Sequence, residues 1–265
     1  MTSTPKLATY VLREGAGVPL VLLHGFPFDH RMWAAAAVAL PQGIRAIGID
    51  LPGQGHSDLG GLPESLDDAA EAVHRTLREQ GEGNAVVAGL SMGGYVALAL
   101  AERHPGFVSG LGLVDTKSTA DSEEARARRL HVADAVLNVQ SIDPVLSMPA
   151  FVLGPTSTER RRGLFPALEA WIRAQSPTGV AWAQRAMAAR PDRTDVLKRY
   201  DGPVSVVVGA EDRITPVSDA EHMAHAAQDS ALTVVPGVGH MSPVEDPTAV
   251  AAALGLLHRR VTHRG

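Results

Sequence analysis

The sequence contains no cysteine, which excludes disulfide bonds, thiolate metal ligands and a cysteine nucleophile. It has no apolar run of about 18 residues, so we expect no transmembrane helix. Positive charge is not in excess, because the formal net charge is −5, and neither nucleic acid nor an anionic membrane is expected as a partner. The N-terminal segment MTSTPKLATY lacks an apolar signal region, and we therefore expect a cytoplasmic protein.

Short β-branched runs bounded by Gly, Pro or Asp predict strands. They lie at residues 19–25, 44–50, 84–91, 110–116, 203–212 and 231–239, with a weaker antiparallel edge strand at 8–15. Four of the runs are almost entirely apolar, which is typical of strands buried on both faces of a mainly parallel sheet. Helical segments lie between them, at 31–40, 65–80, 95–104, 217–227 and 247–258. This alternation predicts an α/β fold with a doubly wound sheet.

One long interval interrupts the alternation of strands and helices. Residues 117–198 contain no strand pattern, and ordinary crossover connections are much shorter, about 10–12 residues or somewhat more. Helices are predicted there at 121–139, 143–152, 158–174 and 178–189. We interpret residues 117–198 as a helical lid inserted into a core formed by residues 1–116 and 199–265. The end of the chain, RRVTHRG, is predicted to be a loose tail.

The stretch Gly89-Leu90-Ser91-Met92-Gly93 matches the pattern G-x-S-x-G. Because Ser and Gly are common turn residues, a plain turn is one interpretation. The other is a nucleophile elbow, in which a serine on a sharp strand-to-helix turn exposes its hydroxyl at the carboxyl edge of the sheet. A buried strand before the motif and a small-residue helix after it favour Ser91 as a nucleophile.

A serine nucleophile needs a base, and the base needs an acid that orients it. His240 follows the last predicted strand, and Asp212 follows the strand before it. Either residue alone would be an ordinary loop residue. Together with Ser91 they follow the order serine, acid, histidine that is typical of one hydrolase fold, and we predict Ser91, Asp212 and His240 as the catalytic residues.

An oxyanion hole requires two backbone donors. We expect the N–H of Met92, which follows the serine, and the N–H of Phe26 in the loop His24-Gly25-Phe26-Pro27. Pro27 has no N–H to donate. His24 lies in the same loop, and we favour a structural role for it over a catalytic one.

The segments HGFPFDHRMW, DLPGQGHSD, GLSMGGYVALALA, GAEDRITP and GVGHMSPVEDP resemble the α/β-hydrolase superfamily. The resemblance extends from about residue 19 to 257 and is strongest to small bacterial esterases, enol-lactone hydrolases and cofactor-free haloperoxidase-like perhydrolases. It implies an α/β-hydrolase fold, a serine-histidine-acid triad and no cofactor. Ser91 argues against the dehalogenase and epoxide-hydrolase branches, which have an aspartate at that position.

Other residues offer competing interpretations. Asp115, at the end of the predicted strand 110–116, is the main rival to Asp212 as the acid, although we favour a role in capping or bracing the lid entrance. His222 and His225 are spaced i, i+3 on a predicted helix, but no third ligand is evident, and we expect no metal site.

A substrate pocket is expected between the sheet edge and the lid. Its candidate residues are Phe28, Met148, Phe151, Phe165, Trp171 and Trp182, each of which could equally pack lid helices against the sheet. These side chains suit a small or medium, mainly apolar ester or lactone. A dianionic lactone would need buried basic residues, which we do not locate in the sequence.

The most direct interpretation is therefore a serine esterase or lactonase that acts through an acyl-enzyme on a small molecule. Two others stay open: a triad enzyme with another main reaction, such as a perhydrolase, lyase or biosynthetic tailoring enzyme, and a hydrolase-fold sensor that binds a ligand. The fold alone does not choose among them, and the sequence predicts no oligomeric state.

Overall fold

Seven strands form one sheet across residues 5–263, the part of the chain that the computed structural model describes. The strands are β1 (Thr9–Arg13), β2 (Ala16–Leu23), β3 (Ile44–Ile49), β4 (Ala85–Leu90), β5 (Val108–Val114), β6 (Val204–Gly209) and β7 (Ser230–Val235). Their order is β1-β3-β2-β4-β5-β6-β7. β1 runs antiparallel to β3, and the other pairs are parallel. The predicted mainly parallel sheet, with an antiparallel edge strand, is confirmed.

Twelve α-helices accompany the sheet within the described residues. They are α1 (Ala34–Ala39), α2 (Leu66–Glu79), α3 (Met92–Arg103), α4 (Glu123–Val139), α5 (Pro149–Val152), α6 (Pro155–Arg160), α7 (Leu164–Arg173), α8 (Pro177–Ala189), α9 (Thr194–Arg199), α10 (Val217–Ala226), α11 (Ser242–Glu245) and α12 (Pro247–Thr262). None of these helices is long and apolar enough to cross a membrane.

Helices cover both faces of the central strands. α3 packs on β4 and β5 from one side, and α12 packs on β5 and β6 from the other. Every residue of β4 and of β6 is buried, which explains why these strands consist of Val, Ala, Gly and Leu with Ser205 as their one polar residue. The buried strands form the core of the sheet, and polar side chains lie on the loops at its carboxyl edge.

Between β5 and β6 the described chain forms only helices, α4 to α9 and one short 3₁₀ turn. Two helices predicted there are broken. The segment 143–152 divides into the 3₁₀ turn Asp143–Val145 and α5, and the segment 158–174 divides into α6 and α7. Pro149 begins a new helix and Gly163 lies at the second break, because proline lacks a helical donor and glycine weakens a helix. The assignment of residues 117–198 as a lid subdomain stays a prediction.

The predicted loose tail is wrong for residues 259–262, which continue α12. Arg260 donates through its guanidinium to the carbonyls of Val204 and Asp229, and Val261 packs against Gly110 of β5. These contacts hold the last turn on the sheet. Residues 264–265 of the predicted tail, and residues 1–4 of the N-terminal segment, lie outside the described residues.

The crossing of β4 and α3 leaves no room for a side chain at Gly89. A Cβ there would lie 2.1 Å from the carbonyl carbon and oxygen of Gly93. We expect Gly89→Ala to lower the free energy of unfolding by about 1–3 kcal/mol or more, because the obstacle is backbone. Gly106→Ala is the matched control, since no atom lies within 4 Å of its added Cβ. Equal urea midpoints for the two variants would contradict this packing.

Candidate active site

Ser91 is the one residue between β4 and α3, and its backbone is strained. Its φ of 51° and ψ of −111° lie in a region that costs a non-glycine residue about 1–3 kcal/mol. Its N–H donates to the Val114 carbonyl at 3.0 Å, and its own carbonyl accepts from Thr116 Oγ1 at 2.8 Å. Gly93 allows α3 to begin close to β2, because a Cβ there would lie 2.3 Å from the Leu23 carbonyl oxygen. The sharp turn predicted at this motif is therefore present, and hydrogen bonds of both the N–H and the carbonyl of Ser91 hold it.

His240 and Asp212 form a buried hydrogen-bonded pair. The Nδ1 of His240 lies 2.7 Å from Oδ2 of Asp212, and both residues are almost fully buried. Oδ1 of Asp212 accepts from the backbone N–H groups of Ile214 and Thr215, at 2.8 and 3.1 Å, while Thr215 Oγ1 donates to Oδ2 at 2.8 Å. With Nδ1–H donated to the carboxylate, Nε2 of the imidazole is the nitrogen that can accept a proton.

A chain of contacts along the carboxyl edge connects the serine with this pair. Ser91 bonds to Val114, the residue before Asp115. The carboxylate of Asp115 accepts from the N–H of Gly209 at 2.9 Å and from the N–H of Ser242 at 3.0 Å. Gly209 ends β6, and Ser242 lies two residues beyond His240. The three predicted catalytic residues are thus brought to the same edge of the sheet.

The electrostatic environment favours the ionised form of Asp212 and makes the imidazole of His240 more basic. Burial raises the pKa of Asp212, but the charge and hydrogen bond of His240 and the two backbone N–H groups outweigh it, and the pKa lies below its ordinary value. Burial lowers the pKa of His240, but the neighbouring Asp212 carboxylate raises it above its ordinary value. Such an arrangement suits a general base that an ionised carboxylate orients.

The loop predicted to supply the second oxyanion donor lies against the serine. A Cβ added to Gly25 would be 3.6 Å from Cβ of Ser91 and 3.4 Å from the Leu90 carbonyl oxygen. Phe26, the next residue, is buried. Met92 is the first residue of α3, so its N–H has no intrahelical acceptor. These positions are compatible with two donors near Ser91, and their oxyanion role stays a prediction.

Comparison with known proteins places this geometry in a family. A family model described as the alpha/beta hydrolase family matches residues 20–253, well over half of the chain. The chain belongs to the alpha/beta hydrolase family. The resemblance and the fold that the sequence predicts are thereby confirmed.

Individual relatives of this hydrolase include esterases. A pimeloyl-[acyl-carrier protein] methyl ester esterase from Aromatoleum aromaticum is 29% identical over 245 residues, 89% of this chain and 96% of that one. A thermophilic esterase from Thermogutta terrifontis, solved with malate bound, is 34% identical with a TM-score of 0.91, over 97% of this chain and 94% of that one. An acetyltransferase component of an acetoin-cleaving system from Pseudomonas putida is 31% identical, but the hydrolase spans only 63% of its length.

Glu245 of the hydrolase is a functional candidate that the sequence analysis missed. It is fully buried, and its Oε2 accepts from the N–H groups of Gly154 and Gly239, each at 2.9 Å. Its Oε1 accepts from the N–H of Met241, also at 2.9 Å. The carboxylate therefore binds the backbone on both sides of His240. The only signal in the sequence is an acidic residue five positions after that histidine.

Asp115, the rival acid, does not act as predicted at the lid entrance. Its carboxylate connects the end of β6 with the segment after His240 through Gly209 and Ser242. Burial, with the nearby Asp212 charge, raises the pKa of Asp115 to about 7. Its backbone, at the end of β5, is left-handed with φ 43°. Asp115 braces the site, while Asp212 holds the hydrogen bond to the imidazole.

The structural role predicted for His24 agrees with its contacts. Its Nε2 accepts from the N–H of Leu51 at 2.8 Å, and Nδ1 lies 3.0 Å from the Gly25 carbonyl. Burial lowers the pKa of this fully buried histidine. A neutral imidazole with its proton on Nδ1 satisfies both partners and joins the loop after β2 to the loop after β3.

The six predicted pocket residues occupy different environments. Phe28 is fully buried and meets Trp171 of α7 edge to face, with ring centroids 6.5 Å apart. Met148 and Phe165 are half-buried against the core. Phe151 is 64% exposed, which does not favour a place in an enclosed pocket. Trp182 donates from Nε1 to the carbonyls of residues 62 and 63. Their pocket role stays a prediction.

Two clusters among the described residues have metal-ligand types within reach of one another. They are Glu71 with His74 and His104, and Asp29 with His30 and Asp50. The carboxylates in both clusters already bind protein groups. Glu71 accepts from Arg103 at 2.6 Å, Asp29 binds a guanidinium at 2.6 Å, and Asp50 accepts from the N–H and ring of His30. We interpret both as hydrogen-bonded structural clusters.

The three hydrogen bonds that Glu245 accepts around His240 can be tested by replacing its carboxylate with an amide. We expect Glu245→Gln to lower the free energy of unfolding by about 1.5–3 kcal/mol, because an amide N–H₂ would face a buried backbone N–H donor. Urea denaturation measures this loss. The exposed Glu221 provides the control Glu221→Gln, which should unfold like the wild type. Equal stability of the two variants would argue against the three-donor cradle.

Proposed function

We propose that this protein is a serine hydrolase that cleaves a carboxylic ester or lactone of a small to medium substrate through an acyl-enzyme. The observation that carries the proposal is the buried Asp212–His240 pair, with Nδ1 to Oδ2 at 2.7 Å, at the same sheet edge as the strained Ser91. Nucleophile, base and orienting acid are the three parts that acyl transfer through serine requires.

In the proposed reaction, Oγ of Ser91 attacks the substrate carbonyl carbon while Nε2 of His240 takes the hydroxyl proton. Asp212 holds the imidazole through Nδ1–H and stabilises the imidazolium that forms. The N–H groups of Met92 and Phe26 bind the oxyanion of the tetrahedral intermediate. His240 then protonates the leaving alcohol, and a water activated by the same nitrogen hydrolyses the acyl-enzyme.

The proposed substrate is supported by the relatives and by the position of the helical segment. Both the methyl ester esterase from Aromatoleum aromaticum and the esterase from Thermogutta terrifontis act on esters by name. The segment between β5 and β6 reaches the site directly, because the N–H of His240 donates to the Val152 carbonyl at 2.7 Å. We propose that residues 117–198 form a lid over the acyl pocket.

Removal of the Ser91 hydroxyl tests the nucleophile. We expect Ser91→Ala to lower kcat for a p-nitrophenyl ester by a factor on the order of 10⁶, as loss of a triad nucleophile does. The wild type should also be labelled covalently at Ser91 by a fluorophosphonate, and the variant should not. Residual activity above a few per cent would exclude Ser91 as the nucleophile.

Ser242→Ala is the matched control for this experiment. Ser242 is also a buried serine close to the site, but its Oγ has no hydrogen-bond partner among the described residues. The variant should keep kcat within about threefold of the wild type, because a hydroxyl without a partner contributes little. Slow turnover by a wild type that the probe nevertheless labels would favour a ligand sensor over an esterase.

The Asp212–His240 pair predicts how activity depends on pH. Because the neutral imidazole is the base, kcat/KM falls as pH drops below the raised pKa of His240. We expect Asp212→Asn to lower kcat by about 10⁴. It should also move the acid limb to lower pH, because burial then depresses the pKa of His240 without the carboxylate's opposing charge. If the acid limb stays in place, Asp212 does not influence the titration of His240. Asp58→Asn, at an exposed position, is the control.

A further inference from the structure

A charged cleft lies between the helical segment and the loop that carries Asp212. Its volume is about 430 Å³, and it is bounded by α4 and α8 on one side and by Tyr95 and Thr215 on the other. Thr215 is the residue whose Oγ1 donates to Asp212 and lies 3.3 Å from Nδ1 of His240. Tyr95 is in the first turn of α3, four residues after Ser91. The cleft therefore adjoins Asp212 and His240 through Thr215, a residue of its lining.

Positive charge converges on one carboxylate in this cleft. Asp121 accepts from Nε of Arg129 at 2.6 Å and from both terminal nitrogens of Arg190, at 2.7 and 2.8 Å. The ammonium of Lys117 lies 3.3 Å from the same carboxylate. Three cations thus surround one anion, whose side chain is only 3% exposed. An excess of buried charge is unfavourable unless a counter-ion is present.

The carboxylates that neighbour this cluster do not line the cleft. Glu124 pairs with Arg128 on the outer surface of α4, at 2.9 Å. The charge of Lys117 acts on Asp219 of α10 and opposes the burial that raises the pKa of Asp219. Counting Glu124, Arg128, Asp219 and the nearby Asp212 with the four groups above gives no net charge. Among the residues that line the cleft, however, three cations, Lys117, Arg128 and Arg129, accompany the single carboxylate of Asp121. This occurs in a chain whose overall net charge is −5.

Two of the three cations can still reach a ligand. The guanidinium of Arg190 is 2% exposed and stacks on Tyr95, 4.0 Å from the ring centroid. By contrast, the side chains of Lys117 and Arg129 line the cleft and remain 20% and 22% exposed. An ammonium has three donors and a guanidinium five. Arg129 uses Nε on Asp121 and one terminal nitrogen on Gln184 and Met187, each at 3.3 Å, which leaves the donors of its other terminal nitrogen. Lys117 and Arg129 form a two-point site for an anion.

We propose that this cleft binds a carboxylate of the substrate, so that the enzyme acts on esters or lactones that themselves carry a carboxylate. The inference rests on the proposed function and specifies its substrate class. Lys117 and Arg129 supply the charge-assisted hydrogen bonds that a planar carboxylate accepts. These two basic residues, which the sequence analysis did not locate, are half-buried and belong to the first part of the segment that follows β5.

The experiment compares two esters with the same leaving group. p-Nitrophenyl butyrate is neutral, and mono-p-nitrophenyl glutarate carries a terminal carboxylate on an acyl chain of similar length. The wild type should have the larger kcat/KM for the glutarate ester. Arg129→Gln should lower the ratio of kcat/KM, glutarate over butyrate, by about tenfold, since the variant loses a charged hydrogen bond. Arg126→Gln, an exposed position on the same helix, should leave the ratio unchanged.

A second variant is needed because Arg129 also holds Asp121. Ala125 lines the cleft, and Ala125→Glu introduces a competing carboxylate without removing any contact of Asp121. It should lower the same ratio by about tenfold through repulsion of the glutarate ester. Thermal melting of each variant identifies a loss of folding. If Arg129→Gln is unfolded, the Ala125→Glu ratio decides.

The outcomes separate this inference from the proposed function. If the wild type hydrolyses both esters through Ser91 but prefers butyrate, or if the ratio is the same in wild type and both cleft variants, the carboxylate site is wrong and the esterase stands. If neither ester is hydrolysed and the fluorophosphonate leaves Ser91 unlabelled, the proposed function itself fails, and the substrate class fails with it.

Discussion

The position of His240 depends on one buried carboxylate, that of Glu245. Its two oxygens accept three backbone N–H groups, those of Gly154, Gly239 and Met241. Two of these flank the histidine, and the third belongs to the helical segment between β5 and β6. Each bond is charge-assisted and shielded from water, which makes it stronger than a neutral surface bond. The loop that carries His240 and the helical segment are consequently held together, and a movement of either would disturb the other.

Close backbone crossings present both the serine and the histidine. α3 can begin directly after Ser91 because Gly89 and Gly93 lack side chains where strand and helix meet. The histidine loop shows the same feature, since a Cβ on Gly209 would lie 2.0 Å from the Gly239 carbonyl oxygen. The tight fit holds Ser91 in a backbone region that a serine in a freer turn would leave. The backbone strain at Ser91 is thus offset by the close packing of α3 against the neighbouring strands of the sheet.

The sheet and its polar edge could be predicted because each strand has a local signal. Buried strands are apolar and short. Ser91 follows β4 directly, and Asp212 and His240 lie in the loops after β6 and β7, three and five residues beyond the strand ends. The supporting contacts had no such signal. Glu245 and Gly154 are 91 residues apart, and only the folded chain brings them together. The sequence predicts that the segment between β5 and β6 is helical, but it does not predict where the helices are interrupted. The turns at Pro149 and Gly163 depend on how the short helices pack.

Three buried carboxylates, those of Asp212, Asp115 and Glu245, act on the imidazole of His240. Asp212 and Asp115 differ in their hydrogen-bond partners and therefore in their effect. Asp212 receives bonds from backbone, hydroxyl and imidazole donors, which keep it ionised. Asp115 has two backbone donors against a larger effect of burial, so its pKa rises to about 7. Burial therefore disfavours the ionised form of Asp115. When Asp115 is ionised, its charge raises the affinity of the His240 imidazole for its proton. The groups titrate as a coupled set. We expect Asp212 to orient the imidazole, while the charge of Asp115 adds to the basicity of His240.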